Sequence, residues 1–162
     1  MKVILIGFMG SGKSTVAKHL AQILQLPIWE MDTMILEHSG ASSIPQLFED
    51  HGETHFRALE RNVAEQLSHE TQGIISTGGG IITEPQNLVL LRKHGAHVVY
   101  LHTRFETLQE RLQHEIANRP LWANPEQTHA LYNQRLPEYK AASDVQINTD
   151  TSTPTQVAAQ IA

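Results

Sequence analysis

A glycine-rich turn near the start of the chain constrains its fold more than any other feature. Residues Gly7-Phe8-Met9-Gly10-Ser11-Gly12-Lys13-Ser14 satisfy the pattern G-x-x-x-x-G-K-S/T without a mismatch. The turn follows Val3-Ile4-Leu5-Ile6, a continuous, partly β-branched run. Such a run reads as a strand buried on both faces, as in a parallel sheet. Behind the turn, Val16, Leu20, Ile23 and Leu24 recur at helical spacing.

The chemistry of the turn is that of a polyphosphate cradle. Glycines let consecutive backbone N–H groups converge on a β-phosphate without Cβ clashes. The helix that begins near Lys13 adds the positive end of its dipole. Lys13 can reach the β- and γ-phosphates, and the Ser14 hydroxyl is a hard oxygen ligand for Mg²⁺. Gly10, Ser11, Gly12, Lys13, Ser14 and Thr15 form the expected ATP-binding set. Nucleotide binding alone leaves a kinase, a hydrolase and a switch open.

The rest of the chain repeats the strand–helix alternation. Ile28-Trp29 is a second short apolar piece, followed by the carboxylates Glu30 and Asp32. Gly40 closes a turn or two of helix. Ser43 suits the cap of a helix carrying Ile44, Leu47 and Phe48, and a longer helix is expected from about Glu53 to Ser68. Gly73 to Ser76 reads as a strand ending in Gly78-Gly79-Gly80. Pro85 opens a helix expected to end near Gly95. Val98 to Leu101 is a fourth strand, and a helix runs from Phe105 to Leu112. The segment from about Ile116 to Gln127 has two prolines and reads as a loop. A helix to about Ala142, a fifth strand at Val145 to Ile147 and a helix after Pro154 complete the chain. The pattern predicts an α/β protein with a five-stranded parallel sheet and helices on both faces. Ligands in such sheets sit beyond the carboxyl ends of the strands. That rule gathers Gly7 to Ser14, Glu30, Asp32 and Gly78 to Gly80 on one edge.

Composition narrows the partners. The 162 residues fit one domain spanning 1–162. The chain has no cysteine, which excludes a disulfide scaffold, a thiol nucleophile and a Cys-bound zinc. A formal charge of −5 is the wrong sign for non-specific binding to nucleic acid or an anionic membrane. No stretch reaches the roughly 20 apolar residues of a membrane span, and the first apolar run is too short for a signal-peptide core. A cytoplasmic monomer is expected, with no nucleic-acid or membrane partner. Ten histidines invite a metal reading, and His51 and His55 stand four apart. A zinc-protease helix needs Glu directly after the first His, where this chain has Gly52, so solvent-facing histidines are the better reading.

Beyond the phosphate loop, the sequence resembles the shikimate kinase family over nearly its whole length. The resemblance rests on Asp32 eight residues before Gly40 and on Gly52-Glu53-Thr54-His55-Phe56-Arg57. It continues through Gly78-Gly79-Gly80, Arg119-Pro120-Leu121, and Arg135 followed by Pro137 and Tyr139. It implies a three-layer kinase fold with a substrate-binding segment at about 32–60 and a mobile lid at about 115–127. It also implies transfer of the ATP γ-phosphoryl group to the 3-hydroxyl of shikimate, giving 3-phosphoshikimate and ADP in chorismate and aromatic amino-acid biosynthesis.

By the same resemblance, Arg57 and Arg135 bind the shikimate carboxylate, which suits the planar, bidentate guanidinium. Asp32 binds the ring hydroxyls and orients the attacking one. Gly79 brings its backbone to the substrate, and Arg119 closes over ATP from the lid. Lys13, Asp32 and Arg119 form the catalytic set, with Mg²⁺ held at Ser14. This chain departs from the family at Glu30-Met31-Asp32, where many relatives have Asp-x-Asp; the first carboxylate is usually assigned to the Mg²⁺ environment. An adenine-side arginine often precedes the lid arginine by seven or eight residues, and Arg111 stands at that distance. The competing readings are another small kinase, acting on gluconate or a nucleoside monophosphate, and a nucleotide-dependent switch without turnover.

Overall fold

A computed structural model describes residues 1–113 and 124–162. Five parallel strands form one sheet: β1 (Lys2–Ile6), β2 (Ile28–Glu30), β3 (Gly73–Ser76), β4 (His97–His102) and β5 (Val145–Asn148). Their order across the sheet is β2-β3-β1-β4-β5. In register, Val3 faces Ile74 on one side and His97 on the other. The chain therefore builds one half of the sheet to one side of β1 and the other half to the other side. The carboxyl ends of β1 and β3, neighbouring strands whose chains leave to helices on opposite faces, bound the crevice that is the usual ligand position in an open α/β sheet.

Alternation along β1 divides the core in two, because successive side chains point to opposite faces. Ile4 and Ile6 pack with Met31, Ile35, Phe56, Val63, Leu88, Leu108 and Tyr139. These come from α2 (Met31–Ser39), α3 (Ile44–Leu67), α4 (Pro85–Leu91), α5 (Phe105–Leu112) and α6 (Pro125–Ala142). Val3 and Leu5 pack on the other face with Val16, Leu20, Val157 and Ala158, from α1 (Lys13–Leu24) and α7 (Pro154–Ile161). All five strands and the helices on both faces agree with the expectation.

Three boundaries differ, each for a local reason. The two helices expected either side of Gly52 run as α3, broken at Gly52, whose φ of 79° and ψ of 175° interrupt the helical path. Helix α4 stops at Leu91, and the chain turns through His94 (φ 64°) and Gly95 (φ 71°). Helix α6 starts at Pro125, inside the segment read as loop. Asn124 caps it by accepting from the Gln127 N–H at 3.2 Å, and Pro125 occupies a first-turn position where its missing N–H costs nothing. The expected cap at Ser43 is present, with the Gln46 N–H donating to Ser43 Oγ at 3.2 Å. Of the expected lid, residues 115–123 lie outside the described residues, and Arg119 and Trp122 with them. Among the described residues, no helix is long and apolar enough to cross a membrane.

Candidate active site

The phosphate loop joins β1 to α1 by the shortest route, and its glycines permit that route. Gly10 and Gly12 adopt φ of 89° and 91°, a region that side-chain-bearing residues rarely enter. Lys13 is nearly buried, and its Nζ donates to the carbonyls of Gly7 at 2.7 Å and Phe8 at 3.1 Å. The ammonium thus lies folded over the loop it serves. Ser14 and Thr15 are exposed at the mouth, whereas Ser11 is buried.

A cleft of about 510 Å³ opens along this loop. Gly10, Gly12, Lys13, Ser14 and Thr15 line one wall, and Glu30, Asp32, Thr77, Gly78 and Gly79 line the other. Strand β2 ends at Glu30, so Asp32 falls in the first turn of α2 rather than capping it. The Asp32 carboxylate faces the loop after β3: Oδ1 lies 2.9 Å from the point where a Cβ would stand on Gly78.

Ser14 Oγ donates to Glu30 Oε2 at 3.0 Å. The other oxygen, Glu30 Oε1, is buried without a hydrogen-bond partner among the described residues. A hydroxyl and an under-coordinated carboxylate side by side are hard oxygen donors of the kind that suit Mg²⁺. The departure at residue 30 therefore keeps a carboxylate within reach of Ser14.

The two arginines approach the glycine run from behind the cleft wall. Arg57, on α3, has its guanidinium packed against the Cα of Gly80, in the space a Cβ would fill. It donates to Glu60 Oε1 at 2.9 Å and to Glu53 Oε1 at 3.4 Å. Arg135, on α6, is 8% exposed, and its Nη1 lies 3.7 Å from the point where a Cβ would stand on Gly79. That same point is 3.4 Å from Met9 N and 3.8 Å from Gly7 O. Gly79 is thus the contact between the phosphate loop and the arginine corner. Neither arginine lines the cleft itself: Arg135 stops at Gly79, which does, and Arg57 at Gly80, one residue beyond the lining.

Two residues at this corner were not named for a role from sequence. Glu60 is fully buried, and burial raises its carboxyl above the usual range against the opposing pull of Arg57. It holds Arg57 from one helical turn away, and its Oε2 has no partner among the described residues. A signal for it exists in the sequence: a carboxylate on the apolar stripe of Phe56, Val63 and Leu67, three residues after an arginine. Tyr139, named only as part of the resemblance, donates its hydroxyl to the Gly79 carbonyl at 2.5 Å. Arg111 lies on the nucleotide side: its Nη2 donates to Thr149 O at 2.8 Å, it lines the cleft, and Leu112 packs on Gly10. His51 and His55 are exposed with ring centroids 4.7 Å apart, and among the described residues no group of three potential ligands could hold a metal.

Comparison with known proteins decides the family. The model of the shikimate kinase family matches residues 9–162. The chain belongs to the shikimate kinase family. It is 40% identical to a shikimate kinase of Lactococcus lactis, over 99% of this chain and 96% of that protein. It is 38% identical to one of Caldicellulosiruptor bescii, over 98% of this chain and 92% of that protein. Among solved structures it is similar to shikimate kinase from Acinetobacter baumannii in complex with shikimate, with a TM-score of 0.89 and 33% identity over 99% of this chain and 89% of that one.

Proposed function

We propose that this protein is an ATP-dependent shikimate kinase, transferring the γ-phosphoryl group to the 3-hydroxyl of shikimate to give 3-phosphoshikimate and ADP. The observation that carries the reading is the position of Gly79, between Met9 of the phosphate loop and the Arg135 guanidinium. An acid held by arginines at that point has its ring beside the phosphate loop. The similar Acinetobacter baumannii enzyme, solved with shikimate, supports the choice of acid.

Each residue then has a task. Arg57 and Arg135 bind the carboxylate, with Gly79 offering its backbone between them. Asp32, beside Gly78 on the same wall, binds a ring hydroxyl and holds the attacking oxygen in line. Phosphoryl transfer passes largely through a loose transition state, so positioning and charge compensation matter more than a strong base. Asp32 accepts the hydroxyl proton as the new P–O bond forms and the bond to ADP breaks. Lys13 leaves the Gly7 and Phe8 carbonyls to meet the β- and γ-phosphates, while Gly10, Ser11, Gly12 and Thr15 present the loop and the first helical turn. Ser14, with Glu30, would hold Mg²⁺, which when bound neutralises charge on the phosphate oxygens. Arg119 closes over ATP from the lid and excludes water that would compete as acceptor.

The reading takes 1–162 as one domain acting as a monomer in the cytoplasm. Strands drawn from residues 2 to 148 into a single sheet support one domain. Coupled measurement of ADP with and without shikimate and Mg²⁺ tests the activity. ADP release should require both. Release with gluconate or a nucleoside monophosphate instead of shikimate would overturn the reading.

A further inference from the structure

The triple-glycine loop has no side chains of its own to fix it, yet it must present a defined backbone to a ligand. Glycine has the largest conformational freedom of any residue, so three in a row need an external clamp. One side of that clamp is Arg57 against Gly80, and another is Asp32 against Gly78. Tyr139 supplies the third, at the middle glycine. Its hydroxyl donates to the Gly79 carbonyl at 2.5 Å across sixty residues of sequence.

The Tyr139 ring is itself immobilised. It is 1% exposed and stacks on Tyr100 with centroids 5.1 Å apart and planes 21° from parallel. Tyr139 lies one helical turn after Arg135 on α6, and the Arg135 guanidinium reaches the same glycine, with Nη1 3.7 Å from the point where a Cβ would stand on Gly79. Burial raises the phenol above its ordinary range, which keeps the proton on the oxygen that donates. A peptide unit is planar, so holding the Gly79 carbonyl also sets the direction of the Gly80 N–H. Loss of the hydroxyl frees that plane to rotate.

We infer that Tyr139 is a positioning residue for the acid substrate, setting through its hydroxyl the Gly79–Gly80 peptide plane that lies against the Arg135 guanidinium. The inference rests on the shikimate kinase reading for its substrate, but not for its geometry. It makes the affinity for the acid, rather than the chemical step or ATP binding, depend on a group that does not touch the acid.

The test is steady-state kinetics of Tyr139→Phe with shikimate and ATP varied separately. The shikimate KM should rise about tenfold, the scale of one buried hydrogen bond. The ATP KM should stay within about twofold, and kcat should fall less than the shikimate KM rises. Tyr100→Phe is the control. It removes a buried hydroxyl that meets His102 Nδ1 at 3.0 Å, away from the glycines, and should leave both KM values unchanged. Two variants that keep the para position filled guard against a folding defect. At residue 139, 4-aminophenylalanine retains a donor and should bind shikimate nearly as the wild type does; 4-methylphenylalanine lacks one and should match Tyr139→Phe. Equal shikimate KM values in these two, or a lowered Tm with both KM values unchanged, would mean a structural role alone and overturn the inference. Absence of shikimate-dependent ADP release from the wild type would instead sink the assigned activity.

Discussion

The phosphate loop and the arginine corner touch at Gly79, but they are built by opposite means. The loop is eight consecutive residues that work mainly through backbone N–H groups, and its geometry follows from local φ values at Gly10 and Gly12. The corner is assembled from Arg57, Glu60, Gly78 to Gly80, Arg135 and Tyr139, brought together by packing of α3, the β3 loop and α6. Its working groups are side chains, several of them buried charges. A site made by local backbone can lose a side chain and keep its shape. A site made by tertiary packing cannot lose a buried charge without disturbing what holds the rest. Substitutions should therefore separate turnover from stability in the loop and couple them in the corner.

The largest effect tests the loop. Lys13→Met should lower kcat by about a hundredfold or more, the scale seen when a charge-stabilising group is removed from a preorganised site. Two carbonyls lose their donor, so a loss of about 1 kcal/mol is expected, or roughly 2–4 °C in Tm for a domain this size. Retained turnover, or collapse of the fold, would break the contrast from the loop's side.

Next come the arginines. Arg135→Ala and Arg57→Ala should each raise the shikimate KM about ten- to a hundredfold, the scale of hydrogen bonds to a charged group. The ATP KM should change far less. The two should differ in stability. Arg57→Ala leaves Glu60 buried without its cation, which costs about 3–5 kcal/mol when no proton is taken up, so its Tm should fall further. Equal losses for both ligands in either variant would mean that the corner and the loop are not separate.

The same contrast explains what could be read in advance. The loop was legible because its eight residues and their flanking strand and helix are contiguous. The central strands β1, β3 and β4 were legible as short buried apolar runs, whereas the edge strands β2 and β5 are only partly buried and were marked by short apolar pieces within the strand–helix alternation. The start of helix α6 is hidden in the sequence because two prolines in 116–127 suggest a loop, although Pro125 in a first turn is a start signal once Asn124 is seen as the cap. Asp32, Arg57, Gly79 and Arg135 came from the family resemblance, since nothing local marks a helical arginine as facing a glycine run that lies 23 residues from Arg57 at Gly80 and 56 from Arg135 at Gly79. Glu60 is hard to single out from sequence, because a carboxylate three residues after a helical arginine looks like half of an ordinary surface ion pair until its burial is known. The meeting of Gly79 with Met9 depends on sheet order, which no single segment encodes.

Glu60 offers a smaller test with a pH signature. Burial raises its folded-state carboxyl above its ordinary 4.5, although Arg57 pulls the other way. The folded state then binds more protons than the unfolded one in the window from about 4.5 up to the raised value, so wild-type stability should decline as pH rises through that window. Glu60→Gln should remove this decline while raising the shikimate KM severalfold, because Arg57 loses its charged anchor. Thermal melts from pH 4 to 8 measure the first and kinetics at pH 7 the second. A Gln variant with the wild-type pH slope would assign that slope to other carboxyls.

The smallest expected effect lies away from both regions and calibrates them. Asp144 ties β4 to β5: Oδ2 accepts from the Val98 N–H at 2.8 Å, and the carboxylate pairs with Arg92 at 3.0 Å. The Val98 hydrogen bond, more than Arg92, holds this carboxyl below its ordinary 3.8. A depressed folded-state value contributes stability that is present above 3.8 and lost as pH falls through the folded value. The side chain is 39% exposed, so solvent screening limits the gain, and an Asn can still accept from Val98. Asp144→Asn should therefore cost no more than about 1 kcal/mol at pH 7, with the deficit closing below pH 4. Kinetic constants per folded molecule should be unchanged, because the substitution touches neither the loop nor the corner. A shift in the shikimate KM here would show that sheet-edge perturbations reach Gly79, and KM changes in the corner variants would then no longer count as local.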